Sequence, residues 1–383
     1  MSKLGRRLAM AGIGIALASR LAFAQNPPSD LLEELKLFSK ALGAIMEGYA
    51  GEVKPRKMFY EAVRGMAQSL DPYSEFIDPE KFELMQIGIK GEYAGIGTWI
   101  KEADGFILIE KIRENSAAEL AGLRIGDKIL AVDGEMTQGK TAAEIGALLR
   151  GDPDTEVAMT IRRDEDEKIF EVKIIRQTFE IDAVRDIRIV GRAVGYMQIT
   201  DFQEKTAEQM ERGLVDLESK GMEALIIDLR NNQGGLLNQA VTLGSLFLEQ
   251  GKKIVSVNSK IEVQKQEYFA ADAKKIYDIP MVVLVNQFSA SASEVFSAAM
   301  QDHGRATIVG VKTYGKASVQ SLIPLDDVSA LKLTTARYLS PHGQQIDGVG
   351  IQPNIVVEEG APGTDSAQNQ IKAALKILQQ YYE

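Results

Sequence analysis

The chain has 383 residues, 45% of them hydrophobic and 26% charged, with a formal net charge of −10. That length and balance suit two or three globular domains with a sizeable core, and the acidic excess argues against a nucleic-acid binder, which would carry a basic face. Cysteine is absent and only His303 and His342 represent histidine, which excludes disulfides, thiol catalysis, lipid attachment at a cysteine and a His-rich zinc site.

In chain order, residues 1–24 read as a signal peptide. "MSKLGRR" is a basic leader, Leu8 to Ser19 a short apolar run, and Ala22 to Ala24 an A-x-A cleavage site ahead of Gln25. The apolar run is short for a bilayer span, so the mature chain is expected to be exported and soluble; an uncleaved anchor is the alternative. Residues 25–90 form a helical region. "DLLEELKLFSKALGAIMEGYA" has apolar residues at helical spacing with Asp30 as N-cap, "PRKMFYEAVRGMAQSL" is a second helix behind Pro55, and "DPYSEFIDPEKF" is a turn-rich connection.

Residues 91–178 change character. "GIGTWI", "GFILIEKI", "DKILAVDG" and "EVAMTIRR" are short β-rich runs punctuated by Gly and Asp, with one helix, "TAAEIGALLRG", expected to end on Gly151 as its C-cap residue. From residue 179 to 358 strands and helices alternate. "AVGYMQI", "ALIIDLR", "MVVLVN", "ATIVG" and "ALKLTTARYLSP" are strands, and "TAEQMERGLVDLESKG" and the stretch after Ser291 are helices. This pattern predicts an α/β domain around a buried sheet. Residues 359–383 supply a closing helix, "AQNQIKAALKILQQ".

Chemistry concentrates at "VNQFSASASEVFSAAMQDHGR", residues 285–305, with serines at 289, 291 and 293. Ala292, Val295, Phe296, Ala299 and Met300 mark one helical face, and "SASE" fits a capping box with Ser291 at N-cap and Glu294 at N3. Capping alone would explain one serine. A nucleophilic serine needs a base. His303 lies twelve residues beyond Ser291 on the same helix, about 18 Å away at 1.5 Å per residue, and His342 sits in an unplaced "SPHG" turn. Lys312 and Lys316, in "GVKTYGKASVQ", are the other options. "IIDLRNNQGGLL" runs a strand into Gly234 and Gly235, whose backbone N–H groups could approach an oxyanion; an ordinary strand-end turn explains it as well. These residues leave the choice among the three serines open.

Taken together, "SLDPYSEFIDPE", "GEYAGIG", "AGLRIGDKILAVDG", "DLRNNQGGLL", "SASASE", "AMQDHGRATIVG", "KTYGKASVQ" and "LTTARYLSPHGQQIDGVGIQPNIVVE" resemble, in order, the carboxyl-terminal processing (tail-specific) proteases. The resemblance implies an α/β catalytic core in the crotonase and ClpP-like style, with an inserted mostly-β PDZ domain and an N-terminal helical region. It implies a serine endopeptidase without metal or cofactor, in which Ser291 is the nucleophile, Lys316 the base, Gln320 the residue that orients the lysine, and Gly234, Gly235 and Ala292 the oxyanion donors. A free lysine titrates near 10.4, so activity near pH 8 would need its pKa depressed by about 2 to 3 units. In the PDZ domain a substrate's terminal carboxylate would meet Ala94, Gly95, Ile96 and Gly97, with Ile145 and Leu149 facing the groove; Trp99 belongs to the groove or the core, and the core is the expectation.

The implied partners are proteins or peptides with free C-termini, another copy of the chain through the terminal helices, and an adaptor protein; nucleic acid is not among them. The implied location is the bacterial periplasm. Departures are Ala317 and Ala94 where the family has Gly, and Gln233 where it has Pro; Ala317 would cost about 1 kcal/mol if its φ had to be positive. A PDZ-bearing scaffold with an inactive core and a crotonase-like acyl transferase are the competing readings.

Overall fold

The computed structural model describes residues 29–383 except 261, 263, 264, 274, 326–328, 359, 361–367, 382 and 383. The segment read as a signal peptide lies outside the described residues. Among the described residues, no helix is long and apolar enough to cross a membrane. The described residues divide into two compact units, one of those up to Ile89 together with those from Ala183 onward, and one of Lys90–Asp182.

The larger unit is built on a six-stranded sheet in the order Val184–Val190, Val194–Ile199, Ala224–Asp228, Met281–Val285, Thr307–Gly310, Ile355–Val356. The first pair is antiparallel and the rest are parallel. "ALIID" and "MVVLV" are buried at every position, as expected of parallel strands covered on both faces. Alternation at period 2 divides their side chains between two cores. Leu225, Ile227, Val283 and Val285 pack with the helices Thr206–Ser219, Leu237–Ser245 and Ala292–Asp302, whereas Ile226, Val282 and Leu284 pack with the last helix, Asn369–Gln379.

A second sheet centres on Ala330–Leu339. Ser318–Pro324 pairs along one edge of it; Glu75–Ile77 and then Lys253–Ser259 pair along the other, with Gln266–Phe269 outermost. The turn-rich connection expected over residues 71–82 therefore contains a strand, and it runs on into a helix, Pro79–Lys90. The helices Ser29–Gly48 and Pro55–Gln68 match the periodicity, but Asp30 lies inside the first turn and not at the cap.

The smaller unit is an antiparallel sheet of Thr98–Ala103, Phe106–Ile112, Lys128–Val132, Glu156–Arg163 and Lys168–Ile175, with helices Ala117–Leu120 and Ala142–Leu149. Its core holds Ile107, Ile109, Ile129, Ile145, Val157 and Ile161. Its ends close on themselves: Glu92–Gly95 pairs with Gln177–Glu180, and the Ile181 N–H donates to the Gly91 carbonyl at 2.8 Å. Gly151 is not a left-handed cap. The helix leaves through an extended Arg150, and a Cβ on Gly151 would come within 2.9 Å of the Arg176 guanidinium, so close approach explains that glycine. Trp99 is 48% exposed and not in the core: it lies on the strand Thr98–Ala103, whose alternation turns it outward.

Candidate active site

Three loops leave the carboxyl ends of three adjacent parallel strands, where open α/β sheets form their ligand crevices. Ala224–Asp228 runs into Asn231–Gly235, Met281–Val285 into the three serines, and Thr307–Gly310 into Thr313–Lys316.

The serines are not equivalent. Ser289 is fully buried; its hydroxyl donates to the Leu229 carbonyl at 2.8 Å and accepts the Asn286 N–H at 2.9 Å. Ser293 is fully buried too and donates to the Asn232 carbonyl at 2.9 Å. Ser291 is half-buried. It sits at the cap of Ala292–Asp302 with φ 55° and ψ −116°, a conformation costly for a residue with a side chain and one that clusters at functional sites. This is a sharp strand-to-helix turn of the kind that holds a nucleophile clear of its own backbone. The helix it starts directs its positive end at the site.

Glu294 organises the turn. It has no exposed surface. One carboxylate oxygen accepts the Ser291 N–H and the Lys316 N–H, each at 2.9 Å; the other accepts the Gly315 N–H at 2.7 Å and the Thr313 hydroxyl. Burial pushes its carboxyl above the usual range while these donors pull it back. The sequence marks Glu294 only as a capping residue; no local signal reveals that it also holds the lysine loop.

Lys312 is exposed, whereas Lys316 is half-buried. Burial and then the charge of Lys332 push the Lys316 amine below the ordinary lysine value, with Glu75 pulling the other way. The Lys316 Nζ lies 4.8 Å from the centre of the Tyr73 ring. Gln320 donates to the Ser318 hydroxyl at 2.8 Å and to the Thr334 hydroxyl at 3.4 Å. Among the described residues no hydrogen bond joins Lys316 Nζ to Ser291 or to Gln320. Ala317 does not have a positive φ, so the strain expected of it does not arise. His303 caps the far end of the serine helix and His342 lies beside it, ring centres 6.5 Å apart; an eleven-residue helix, roughly 16 Å long, separates both from Ser291.

The glycine loop packs onto the serine turn. Gly234 has φ +103°, and a Cβ there would stand 2.7 Å from Ser291 Cβ and 2.9 Å from the Ala292 nitrogen. Its own N–H donates to Asn232 Oδ1 at 2.8 Å. Gly235 forms a parallel bridge with Phe202. In such a bridge the flanking residues make the bonds, here Phe202 N–H to Gly234 and Leu236 N–H to Phe202, so the Gly235 N–H is turned to the opposite side. The Gly235 and Ala292 N–H groups have no acceptor among the described residues.

In the smaller unit Ala94 and Gly95 are paired in the strand Glu92–Gly95. Gly97 has φ +87°, and a Cβ would meet Ser116 at 2.4 Å. The Ile96 and Gly97 carbonyls accept the N–H groups of Ala118 and Arg113 at 3.0 and 2.9 Å. Ile145 and Leu149 are 0% and 5% exposed and belong to the core; they support the helix from beneath and line no open surface.

Residues 193–357 match the model of peptidase family S41, and residues 108–163 match that of the PDZ domain. A carboxy-terminal-processing protease of Bartonella bacilliformis is 35% identical over 361 residues, covering 92% of this chain and 82% of that protein. The carboxy-terminal processing protease CtpA of Bacillus subtilis is 36% identical over 321 residues, covering 84% and 68%. Among solved structures, a photosystem II D1 C-terminal processing protease aligns with a TM-score of 0.48 at 26% identity, over 87% of this chain and 92% of that one.

Proposed function

The chain belongs to the carboxy-terminal-processing proteases of peptidase family S41, and on that premise we propose that it cuts exported proteins near their C-termini with Ser291 as nucleophile and Lys316 as base. The observation that carries this reading is the shared carboxylate of Glu294, which takes the backbone N–H of both residues. Two groups separated along the chain are thereby tied into one rigid turn, as a nucleophile–base pair requires.

In the proposed reaction the neutral Lys316 amine takes the Ser291 proton as Oγ attacks the scissile carbonyl carbon. The charge that develops on the carbonyl oxygen is met by the Ala292 and Gly235 N–H groups at the helix terminus. Gly234 contributes space and not a donor, since its N–H is committed to Asn232. Collapse breaks the C–N bond, and Lys316 returns the proton to the departing amine. Water then repeats the sequence on the acyl-serine, with Lys316 as base. Gln320 steadies the lysine strand through Ser318 and Thr334.

The domain limits proposed are a signal peptide at 1–24, helices to 90, the PDZ domain at 91–178, the protease core to 358 and a closing helix, with export to a bacterial envelope. The PDZ domain presents the substrate tail. A fluorophosphonate probe tests the chemistry. It should label Ser291 in the intact protein and lose that label in Ser291→Ala, with labelling and peptide cleavage both collapsing in Lys316→Ala. Full turnover by Ser291→Ala would sink the assignment, and a folded chain that neither labels nor cleaves would favour a scaffold.

A further inference from the structure

The Lys316 amine rests on a segment from the opposite end of the chain. Behind the helix Pro55–Gln68, Asp71 accepts the N–H groups of Tyr73 and Ser74 at 2.8 and 2.9 Å and the Ser74 hydroxyl at 2.8 Å. The same carboxylate accepts the Thr334 hydroxyl at 3.1 Å, and Ser74 Oγ accepts the Thr334 N–H at 3.1 Å. This turn is thus bolted to the strand Ala330–Leu339. The strand that follows places Glu75 directly opposite Lys332, and the two side chains form an ion pair. Tyr73 lies in the turn just ahead of this strand, two residues before Glu75. The Lys316 Nζ lies over the Tyr73 ring, 4.8 Å from its centre.

We propose that this N-terminal segment is part of the proton-transfer site: the Tyr73 ring positions the Lys316 amine, and the Glu75–Lys332 pair sets the charge that the amine experiences. The proposal rests on the reading of Lys316 as the base. A ring face seats a cation without offering an acceptor that would keep its proton. Glu75 alone would hold that proton in place, and Lys332 offsets it. The other charges around the loop are committed elsewhere. Glu294 faces four donors. Asp347 is paired with Arg337 and the Ala317 N–H, and Asp71 is held in its turn. Tyr73 and Tyr314 are phenols; burial, with Tyr314 nearby, pushes Tyr73 up to about 12.

The test is the acid limb of the kcat/KM–pH profile in the full-length enzyme. Glu75→Gln leaves Lys332 uncompensated, so Lys316 loses its proton more readily and the limb should move to lower pH by about 0.3 to 0.7 of a unit, the scale of a partly exposed charge. Lys332→Met leaves Glu75 uncompensated and should move the limb up by a similar amount. The double variant should return it close to its starting place. Tyr73→Leu should lower kcat by about 10- to 100-fold with KM little changed, since a displaced base costs the chemical step, and Tyr73→Phe should recover most of that loss. In Ser291→Ala protein, the pH dependence of Lys316 acylation by an amine reagent, read by mass spectrometry, should shift with the two charge variants in the same directions. Limbs that stay fixed, or that move the same way in both single variants, overturn the proposal. If Lys316→Ala is inactive while the limbs stay fixed, the tuning fails alone; if Lys316→Ala remains active, the assignment of the base fails first.

Discussion

Glu294 answers two demands with one side chain, and its substitution separates packing from charge. Glu294→Gln keeps the shape but turns an NH2 group toward two of the four donors. A buried donor left unsatisfied costs about 1–3 kcal/mol, so two should lower the stability of the larger unit by about 2–6 kcal/mol in denaturant unfolding and release the Ser291 turn. Peptide turnover should fall at least 100-fold; unchanged turnover would mean that the shared carboxylate does not set the geometry. If Lys316 is the base, it fixes the pH response. A base must be neutral, and burial lowers its pKa, so activity should rise with pH through a depressed lysine value and be lost below it. Lys316→Arg should be inactive throughout, since a guanidinium stays charged. Full activity at pH 5 would contradict a lysine base.

Among the elements, those with long apolar runs or clear helical spacing were legible in the sequence: Ala224–Asp228, Met281–Val285, Thr206–Ser219 and Asn369–Gln379 all lie where the pattern puts them. Glu75–Ile77 was not, because three residues carry no period; its strand character comes from its partner far along the chain. For the same reason nothing local to Tyr73 gives it a role. Local pattern also could not separate Ser289, Ser291 and Ser293, since the acceptors that bury two of them belong to Leu229 and Asn232. The resemblance to a family pointed to Ser291, which is half-buried where Ser289 and Ser293 are buried and bonded; its role as nucleophile is the proposal that the probe tests. The helix Ala292–Asp302 is buried from Ala292 to Met300, more than its single apolar face suggests, so its polar residues must find partners. Ser297 Oγ finds none among the described residues. Ser297→Ala should therefore raise stability by about 1 kcal/mol and leave turnover unaltered; a loss of stability in thermal unfolding would reveal a bond to that hydroxyl.

At the scale of the whole molecule, a substrate tail and a scissile bond call for two different recognitions, and the chain carries two compact units. If the smaller unit reads a terminal carboxylate, a peptide with a free C-terminus should be cut faster than its amidated twin. A hydrogen bond to a charged group contributes about 1.5–3 kcal/mol, or about 10- to 150-fold. Removing residues 91–178 should erase the difference, and equal cleavage of the pair by the intact enzyme would assign that unit another task. The closure of this unit on itself, from the Gly91 carbonyl to the Ile181 N–H, also bears on the order of assembly. Were Lys90–Asp182 an unstructured loop, bringing its ends together would cost about 4 kcal/mol. A unit already folded holds its own ends, Gly91 and Ile181, within a hydrogen bond of each other, so that cost would be met before the later strands pair with the Tyr73 segment. If so, the insertion works as a folding clasp. During refolding its amides should gain protection from hydrogen exchange before Ser291 becomes open to the probe, and the reverse order would show that the core closes without it.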